Sequence, residues 1–494
     1  MGIIQQQTLK GTFYSYLGVL IGFITISVLQ PHALTTEQVG LTRILLSFSL
    51  LFAQFAALGF NGTARYFPYF RDKEKEHHGY LFLSCLVSGV GMLLFAIGAY
   101  VFKDEVIGSD SSSEILFNRY YWCLIPLTFF TLYFNVFELY ARVLYNAISG
   151  KILREFTKRL FVLIAVLAIY FKLVDFHTFI IIWLFANIVP TFIMLWVLIR
   201  DKHFFFKPNF KFIDKPLRSK LVNISFFFIL AGSASILVDN IDVYIVNLKL
   251  GLSDTGIYAI ASYFATLISL PARSLYGISG VIITDAWKDN DLDTIKSIYK
   301  KSCITQIITS LFLFIMIWAN IDNIFHLLPA KYASGRYVIF FIGLGYLIDS
   351  AAGVNNVIIS GSKYFRFDFY SYLVLIVIVV ISNLIFIPLY GITGTAIASG
   401  MSLLIFNLFR FVFLLIVYKM QPFTIQSAYT LLMGVSIYFL SVWIVPHFDN
   451  FIVDLLVRSA FITILYGGCT YLFNLSDDIT YLLKGYANKL LPPK

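Results

Sequence analysis

Long apolar runs alternate with short polar stretches from one end of the chain to the other. A helix needs about 20 mostly apolar residues to cross a bilayer. Runs of that kind predict helices near residues 12–32, 40–61, 79–102, 116–139, 157–174, 177–199, 221–248, 256–279, 302–321, 336–360, 368–388, 391–418, 425–446 and 452–474. The pattern therefore predicts an all-α polytopic membrane protein with about fourteen spans. The fifth run is the weakest, since Lys158, Arg159 and Lys172 leave a short uncharged centre whose ends must snorkel. The first run has one lysine before it and no small-residue cleavage signal after it, so it is expected to remain as an uncleaved span.

Composition agrees: 59% of the 494 residues are hydrophobic and only 13% are charged, outside the range of soluble domains. The net charge of +10 raises the question of nucleic acid. The basic residues, however, sit in short loops between apolar runs, where they orient a membrane protein, so no nucleic-acid partner is expected. With the N-terminus in the cytoplasm, and with Lys158, Arg159, Lys172 and Arg336 at run ends counted with the adjoining loops, 27 of the 37 Lys and Arg fall on the cytoplasmic side, 5 on the outer side and 5 deeper within spans. That asymmetry predicts both termini cytoplasmic. The four cysteines form no CxxC pair, so neither a disulfide framework nor a zinc site is expected.

The most basic loop, "RDKHFFFKPNFKFIDKPLRSK" (200–220), divides the chain into similar lengths with a remainder. On each side, "LTTEQVGLTRILLSF" (34–48) and "LGLSDTGIYAIASYF" (250–264) place a polar cap and then Gly40 or Gly256 at the outer start of a helix. A parallel duplication follows: a six-helix bundle over 1–200, a cytoplasmic linker over 201–220, and a second bundle over 221–420. Two additional helices over 421–474 and a cytoplasmic amphipathic tail over 475–494 complete the layout. Small residues four apart, Gly394 with Ala398 and Ala396 with Gly400, predict close helix packing.

The loops carry little chemistry. "DNDLDTIKSIYKKS" fails as a calcium loop, because Thr294 and Lys300 stand where the turn glycine and the bidentate glutamate belong. It reads instead as a capped amphipathic helix on the membrane surface. His77 and His78 adjoin, and a solvated pair is expected there instead of a metal site.

Ionisable residues at membrane depth are the informative ones, because an isolated charge there is costly and normally faces a cavity or a partner. Asp239 and Asp242 share a face of the seventh span, and Asp349 lies near the middle of the tenth, with Asn355 and Asn356 further in. Arg43, Arg273 and Arg410 lie within the second, eighth and twelfth spans, Arg273 just after Pro271. Each has a structural alternative: Arg43 and Arg410 reach headgroups, and Asp349 pairs with a neighbouring helix.

The segments "VDNIDVYIVNLKLGLSDTGIYAIASYFATLISLPARSLYGISGVIITDAW" (238–287) and "IPLYGITGTAIASGMSLLIFNLFR" (387–410) resemble the lipid-linked oligosaccharide flippases. These are polysaccharide exporters of the superfamily that also holds the multidrug and toxin extruders. The resemblance implies two six-helix bundles around a V-shaped cavity lined by the first, second, seventh and eighth helices, in the cell inner membrane. It implies a transporter, not an enzyme, that flips lipid-diphosphate glycans to the outer leaflet by alternating access, as in lipopolysaccharide assembly. Membrane lipids and polysaccharide-assembly proteins are the implied partners. It also implies no cofactor, with Na+ or H+ as coupling ion. Carried over residue by residue, it places Arg43, Asp239, Asp242 and Arg273 on candidate cavity helices, with Arg65 at the inner end of the second. The chemistry of a lipid-diphosphate cargo then makes Arg43, Arg273 and Arg65 the candidates for the diphosphate, and Asp239, Asp242 and Asp349 those for ion binding or charge balance. The chain departs from the lipid II flippase branch in having no arginine in its first span, which favours a polysaccharide repeat unit. Two alternatives remain: a cation-coupled multidrug antiporter, and a membrane polymerase or ligase, which would be expected to carry a large outer loop.

Overall fold

The computed structural model describes residues 3–107 and 111–481; it is helical almost throughout, with no strand among the described residues. By length and composition, eleven of the described helices can cross a membrane, or twelve if one bent pair counts as a span. In chain order the principal helices are α1 (Ile3–Phe23), α2 (Thr36–Ala56), α3 (Tyr80–Val101), α4 (Leu124–Val143), α5 (Lys158–Tyr170), α6 (Phe176–Arg200) and α7 (Lys215–Thr266). There follow α8 (Leu270–Lys288), α9 (Leu292–Ala319), α10 (Arg336–Ala351), α11 (Asn355–Gly361), α12 (Phe365–Tyr418), α13 (Ile425–Ile444) and α14 (Phe451–Leu472).

Three places explain why this count differs from the fourteen runs of the sequence. Helix α12 carries the eleventh and twelfth runs in one element, interrupted where Gly391 turns to φ 57°. Only glycine adopts such backbone freely, so the chain bends there without a loop. The tenth run is the bent pair, breaking by 51° between α10 and α11. Helix α5 is short by itself, but a π-helical turn, Leu153–Thr157, joins it to Ile148–Ile152. The charge expected to snorkel from its start is instead satisfied internally: Arg159 donates to the Gly18 carbonyl of α1 (2.9 Å) and to Glu155 (3.0 Å).

The chain forms two compact units, Met1–Ala259 and Ile260–Lys494. Helix association in lipid rests on close packing and hydrogen bonds, because lipid tails are as apolar as leucine. In the first unit the two similar segments of the sequence meet each other. A Cβ on Gly40 would collide with the Leu252 carbonyl oxygen, and one on Gly256 with the Thr36 carbonyl oxygen, so the contact is reciprocal. The Thr36 and Ser253 hydroxyls seal it at 2.8 Å. Helix α2 begins beside this contact in a capping box, with Thr35 and Gln38 bonding each other's backbone N–H. The polar cap and glycine seen in the sequence thus serve one close approach.

In the second unit, α9, α10, α13 and α14 share a core of Ile304, Ile308, Leu311, Ile315, Leu347, Ile437 and Ile462. The two additional helices are tied to α9 by Tyr466, which donates to the Ile308 carbonyl at 2.8 Å. A buried cluster ties them further: Asp454 accepts from Arg458 (3.0 Å) and from Asn323, and Arg458 donates to the Ser441 carbonyl (2.8 Å). Gly400 and Gly345 pack Cα against where a side chain would be, at 3.0 Å, in the close approach expected from the small-residue pattern.

Two local expectations are corrected. "DNDLDTIKSIYKKS" is capped as expected, Asp291 accepting from the Thr294 amide at 3.0 Å. Yet it is the first turns of α9, not a separate surface helix: Ile295 and Tyr299 are fully buried in a core with Ile283, Val354 and Ile358. The histidine pair is not solvated either, since His77 is only 3% exposed. Of the amphipathic tail, residues 482–494 lie outside the described residues.

Candidate functional site

A polar network occupies the interior of the second unit where α10 breaks. Asp349 lies on the last turn of α10, and Asn355 opens α11 after Gly353 turns to φ 63°. A broken helix frees backbone groups at depth, tolerated only where other groups answer them. Here α12 answers. Asn355 donates to Asn407 Oδ1 at 3.1 Å, and Asn407 donates to Asp349 Oδ1 at 2.9 Å. Both asparagines are buried.

One turn beyond Asn407, Arg410 is 2% exposed and pairs with Asp368 at the start of α12. Its guanidinium lies 3.9 Å above the Phe406 ring and 5.1 Å from that of Tyr372. Arg410 therefore does not reach the headgroups. Its charge is spent inside the unit, on a carboxylate and two aromatic faces. Tyr276 of α8 packs against the core that contains Ile283, Val354 and Ile358. Arg273, two residues after Pro271 in the first turn of α8, is exposed.

The other residues singled out in the sequence lie in the first unit. Arg43 is half-buried one turn along α2 from Gly40, and Arg65 is exposed in the 3-10 segment Phe60–Tyr66. Asp242 is half-buried on α7 and accepts from the Tyr258 hydroxyl at 3.3 Å. Asp239 is on the same helix, but its side chain lies outside the described residues. Asp349 thus belongs to the network of the second unit, Arg273 lies on α8 of the same unit, and Arg43, Arg65 and Asp242 belong to the first unit. Asp368, Asn407 and Tyr276 were not singled out in the sequence. Asp368 reads there as a helix-end residue, and only its distance of 42 positions from Arg410 hides the pair. No group of three or more His, Cys, Asp or Glu side chains is placed to hold a metal ion among the described residues.

The family model described as polysaccharide biosynthesis protein matches residues 8–283, more than half of the chain. The chain belongs to this family. Among solved structures, this polysaccharide biosynthesis protein is similar to the lipid II flippase MurJ in an inward closed conformation. The identity is 16%, with 95% of this chain and 98% of that one covered and a TM-score of 0.72. It is also similar to an inward-facing MATE-family multidrug resistance transporter of the MOP superfamily, at 14% identity over 81% of this chain and 93% of that one, with a TM-score of 0.62. An outward-facing MATE transporter gives 15% identity over 82% and 92%, and a TM-score of 0.55. At such identities the likeness is one of fold. No curated protein matches the sequence significantly. The family and its fold neighbours make this a multi-pass membrane protein of polysaccharide biosynthesis.

Proposed function

We propose that the protein flips lipid-linked diphosphate oligosaccharides or polysaccharide repeat units from the cytoplasmic to the outer leaflet by alternating access. The family match over residues 8–283 carries this reading, and the MurJ-like fold supports it. The distribution of basic residues supports both termini being cytoplasmic, and a cargo taken from the cytoplasmic leaflet places the transporter in the inner membrane. Such a cargo has a long apolar tail, an anionic diphosphate and a polar head, and the transporter moves it without breaking a bond, so no catalytic group is invoked.

Arginine suits the diphosphate because it stays charged at any working pH and offers a planar fork to two oxygens. Arg273 is the first choice: it is exposed and on the first turn of a helix, whereas Arg410 in the same unit is already neutralised by Asp368. Arg43 and Arg65 serve the diphosphate at other stages. Asp349, Asp242 and Asp239 take up a proton or sodium ion, or balance the cationic residues.

The test is surface polymer in a host lacking its own oligosaccharide-lipid flippase. Arg273→Ala should abolish it at unchanged expression, and Arg273→Lys should restore part of it. A well-expressed protein that yields no polymer across several glycan types would overturn the reading. The second reading, a cation-coupled drug antiporter, draws on the MATE likeness. It predicts that Asp239→Asn or Asp242→Asn abolishes drug efflux, while Arg273→Ala leaves efflux intact.

A further inference from the structure

Between α3 and the short helix before it, four consecutive residues take left-handed backbone: Glu76 (φ 52°), His77 (49°), His78 (49°) and Gly79 (73°). Only the last is glycine. A run of L-residues in this conformation sets each Cβ against the following carbonyl, and such strain persists only where the surroundings impose it.

What imposes it is the connection between α6 and α7, residues 201–214. Lys207 pairs with Glu76 at 2.8 Å. His78 stacks on Phe212 with ring centroids 3.7 Å apart and planes 10° from parallel. A Cβ on Gly79 would stand 2.6 Å from the Lys207 carbonyl oxygen, so this position admits glycine alone. His77 points inward, its ring 5.5 Å from that of Phe205 and 6.2 Å from that of His203 in the connection. On its other sides lie Phe67 (5.6 Å) and Tyr140 of α4 (6.2 Å).

The hydrogen bonding inside this knot fixes a protonation state. The Asp72 backbone N–H donates to His77 Nδ1 at 3.2 Å, so that nitrogen is an acceptor and the ring is neutral. His77 Nε2, His203 Nδ1 and the Tyr140 hydroxyl are all buried with no hydrogen-bond partner among the described residues. The formal charges around the pair are Arg71, Lys73 and Lys207 on one side of the balance and Asp72, Glu76 and Asp201 on the other. Glu76 is engaged by Lys207 and Asp201 by Arg200 at 3.0 Å, while Asp72 accepts from the Lys75 amide at 3.1 Å and lies 3.7 Å from the Lys75 ammonium and 4.0 Å from His78 Nε2. Little negative charge is left to receive a new cation.

We propose that the left-handed turn Glu76–Gly79 is a proton-operated clasp on the 201–214 connection, closed while His77 and His203 are neutral and released when either imidazole takes a proton. A proton on His77 Nδ1 would face a backbone donor. A proton on both rings would set two like charges about 6 Å apart in a water-poor knot, where their repulsion is strong. The strain in the turn then favours release. The sign follows from His203, whose pKa burial holds below the ordinary histidine value, with Lys73 adding to the effect and Asp201 opposing it. The docked connection therefore binds fewer protons than the free one. Docking is complete above the ordinary value of about 6.5 and weakens as pH falls through it.

The clasp is tested by hydrogen exchange of the full-length protein in nanodiscs, reading protection factors of peptides from 201–214 at about pH 7.5 and about pH 5.5, either side of the histidine value. Protection in the wild type should fall at the lower pH, by up to about tenfold per pH unit for one proton. The double variant His77→Asn, His203→Asn should keep its protection at both values, since asparagine accepts in the place of Nδ1, tolerates left-handed backbone and takes no proton. Lys207→Gln should lower protection equally at both values. Unchanged wild-type protection, or a double variant that loses protection at low pH as fully as the wild type, would overturn the proposal. The readout is independent of transport, so neither result bears on the flippase reading.

Discussion

The Asp368–Arg410 pair offers a sharp test of how the second unit is built. The arginine side chain is 3% exposed and the aspartate 20%, so each charge is largely withdrawn from solvent and lipid headgroups alike. Removing one partner of such a pair leaves an uncompensated charge and costs about 3–5 kcal/mol. Arg410→Met should lie at the upper end. It strips the counter-ion from Asp368, removes the positive charge that Asp349 feels, and forfeits the stacking on Phe406 and Tyr372, itself about 0.5–2 kcal/mol. Asp368→Leu should be milder, because Asp349 remains near the orphaned guanidinium. Replacing both charges with apolar residues of similar volume removes the desolvation penalty together with the attraction, and is typically near neutral. The double variant Asp368→Leu, Arg410→Met should therefore lose only the stacking share, and its thermal midpoint should lie above that of either single variant. Thermal unfolding of the detergent-purified protein, followed by a thiol-reactive dye, gives the ranking. Single variants as stable as the wild type, or a double variant no better than the worse single one, would refute the assignment of a buried, mutually compensating pair.

Other contacts make predictions of the same kind. Cysteines replacing Thr36 and Ser253, whose hydroxyls lie 2.8 Å apart, should form a disulfide under mild oxidation, seen as a linked band after cleavage in the 201–214 connection; no band would contradict the reciprocal contact. Gly40→Ala should abolish that crosslink, because its methyl group meets the Leu252 carbonyl oxygen. Asp454→Ala, which orphans the 1%-exposed Arg458 and frees Asn323, should lower the thermal midpoint about as much as Arg410→Met, at about 3–5 kcal/mol. The helix caps Asp175 and Asp291 have carboxyl pKa values below the usual range, through bonds from Thr178 and Thr294. Their support is complete above about pH 4 and is lost as pH falls through the lowered values, so exchange of the first turns of α6 and α9 should speed up in acid; Asp291→Asn should remove that dependence for α9.

The fold was legible in the sequence because the bilayer imposes one dominant rule, a span's length of apolar residues, that each run satisfies or fails alone. The capping signals were legible for the same reason: Thr35 with Gln38 and Asp291 with Thr294 are three residues apart. What was not legible depends on partners far along the chain. Asp349 meets Asn407 at a separation of 58 residues, and Asn323 meets Asp454 at 131. Hydropathy places such residues at a depth but cannot say which of them face each other. The left-handed turn at His77 was hidden differently, since nothing in "KEKEHHG" but its glycine signals positive φ, and the strain is imposed by a connection over a hundred residues away.

That distinction bears on how the membrane carboxylates divide. Asp349 is conspicuous in the sequence because an acid at depth is unusual, whereas Asp368 and Asp454 read there as helix-end residues. In the second unit, Asp368 and Asp454 each hold an arginine that is nearly inaccessible, and both pairs join helices: the first within α12 across its bend, the second α14 to the short helix Ile321–Leu327 through Asn323. Their charge is committed to architecture. Asp349 forms no ion pair among the described residues; it accepts from a neutral asparagine whose own oxygen is held by a second one, at the break of a helix. A carboxylate bonded this way can gain or lose a proton or a small cation without unpairing a buried arginine. If one acid of this unit changes state during transport, the geometry selects Asp349, and Asp349→Asn should alter the ion dependence of transport at a thermal midpoint close to that of the wild type.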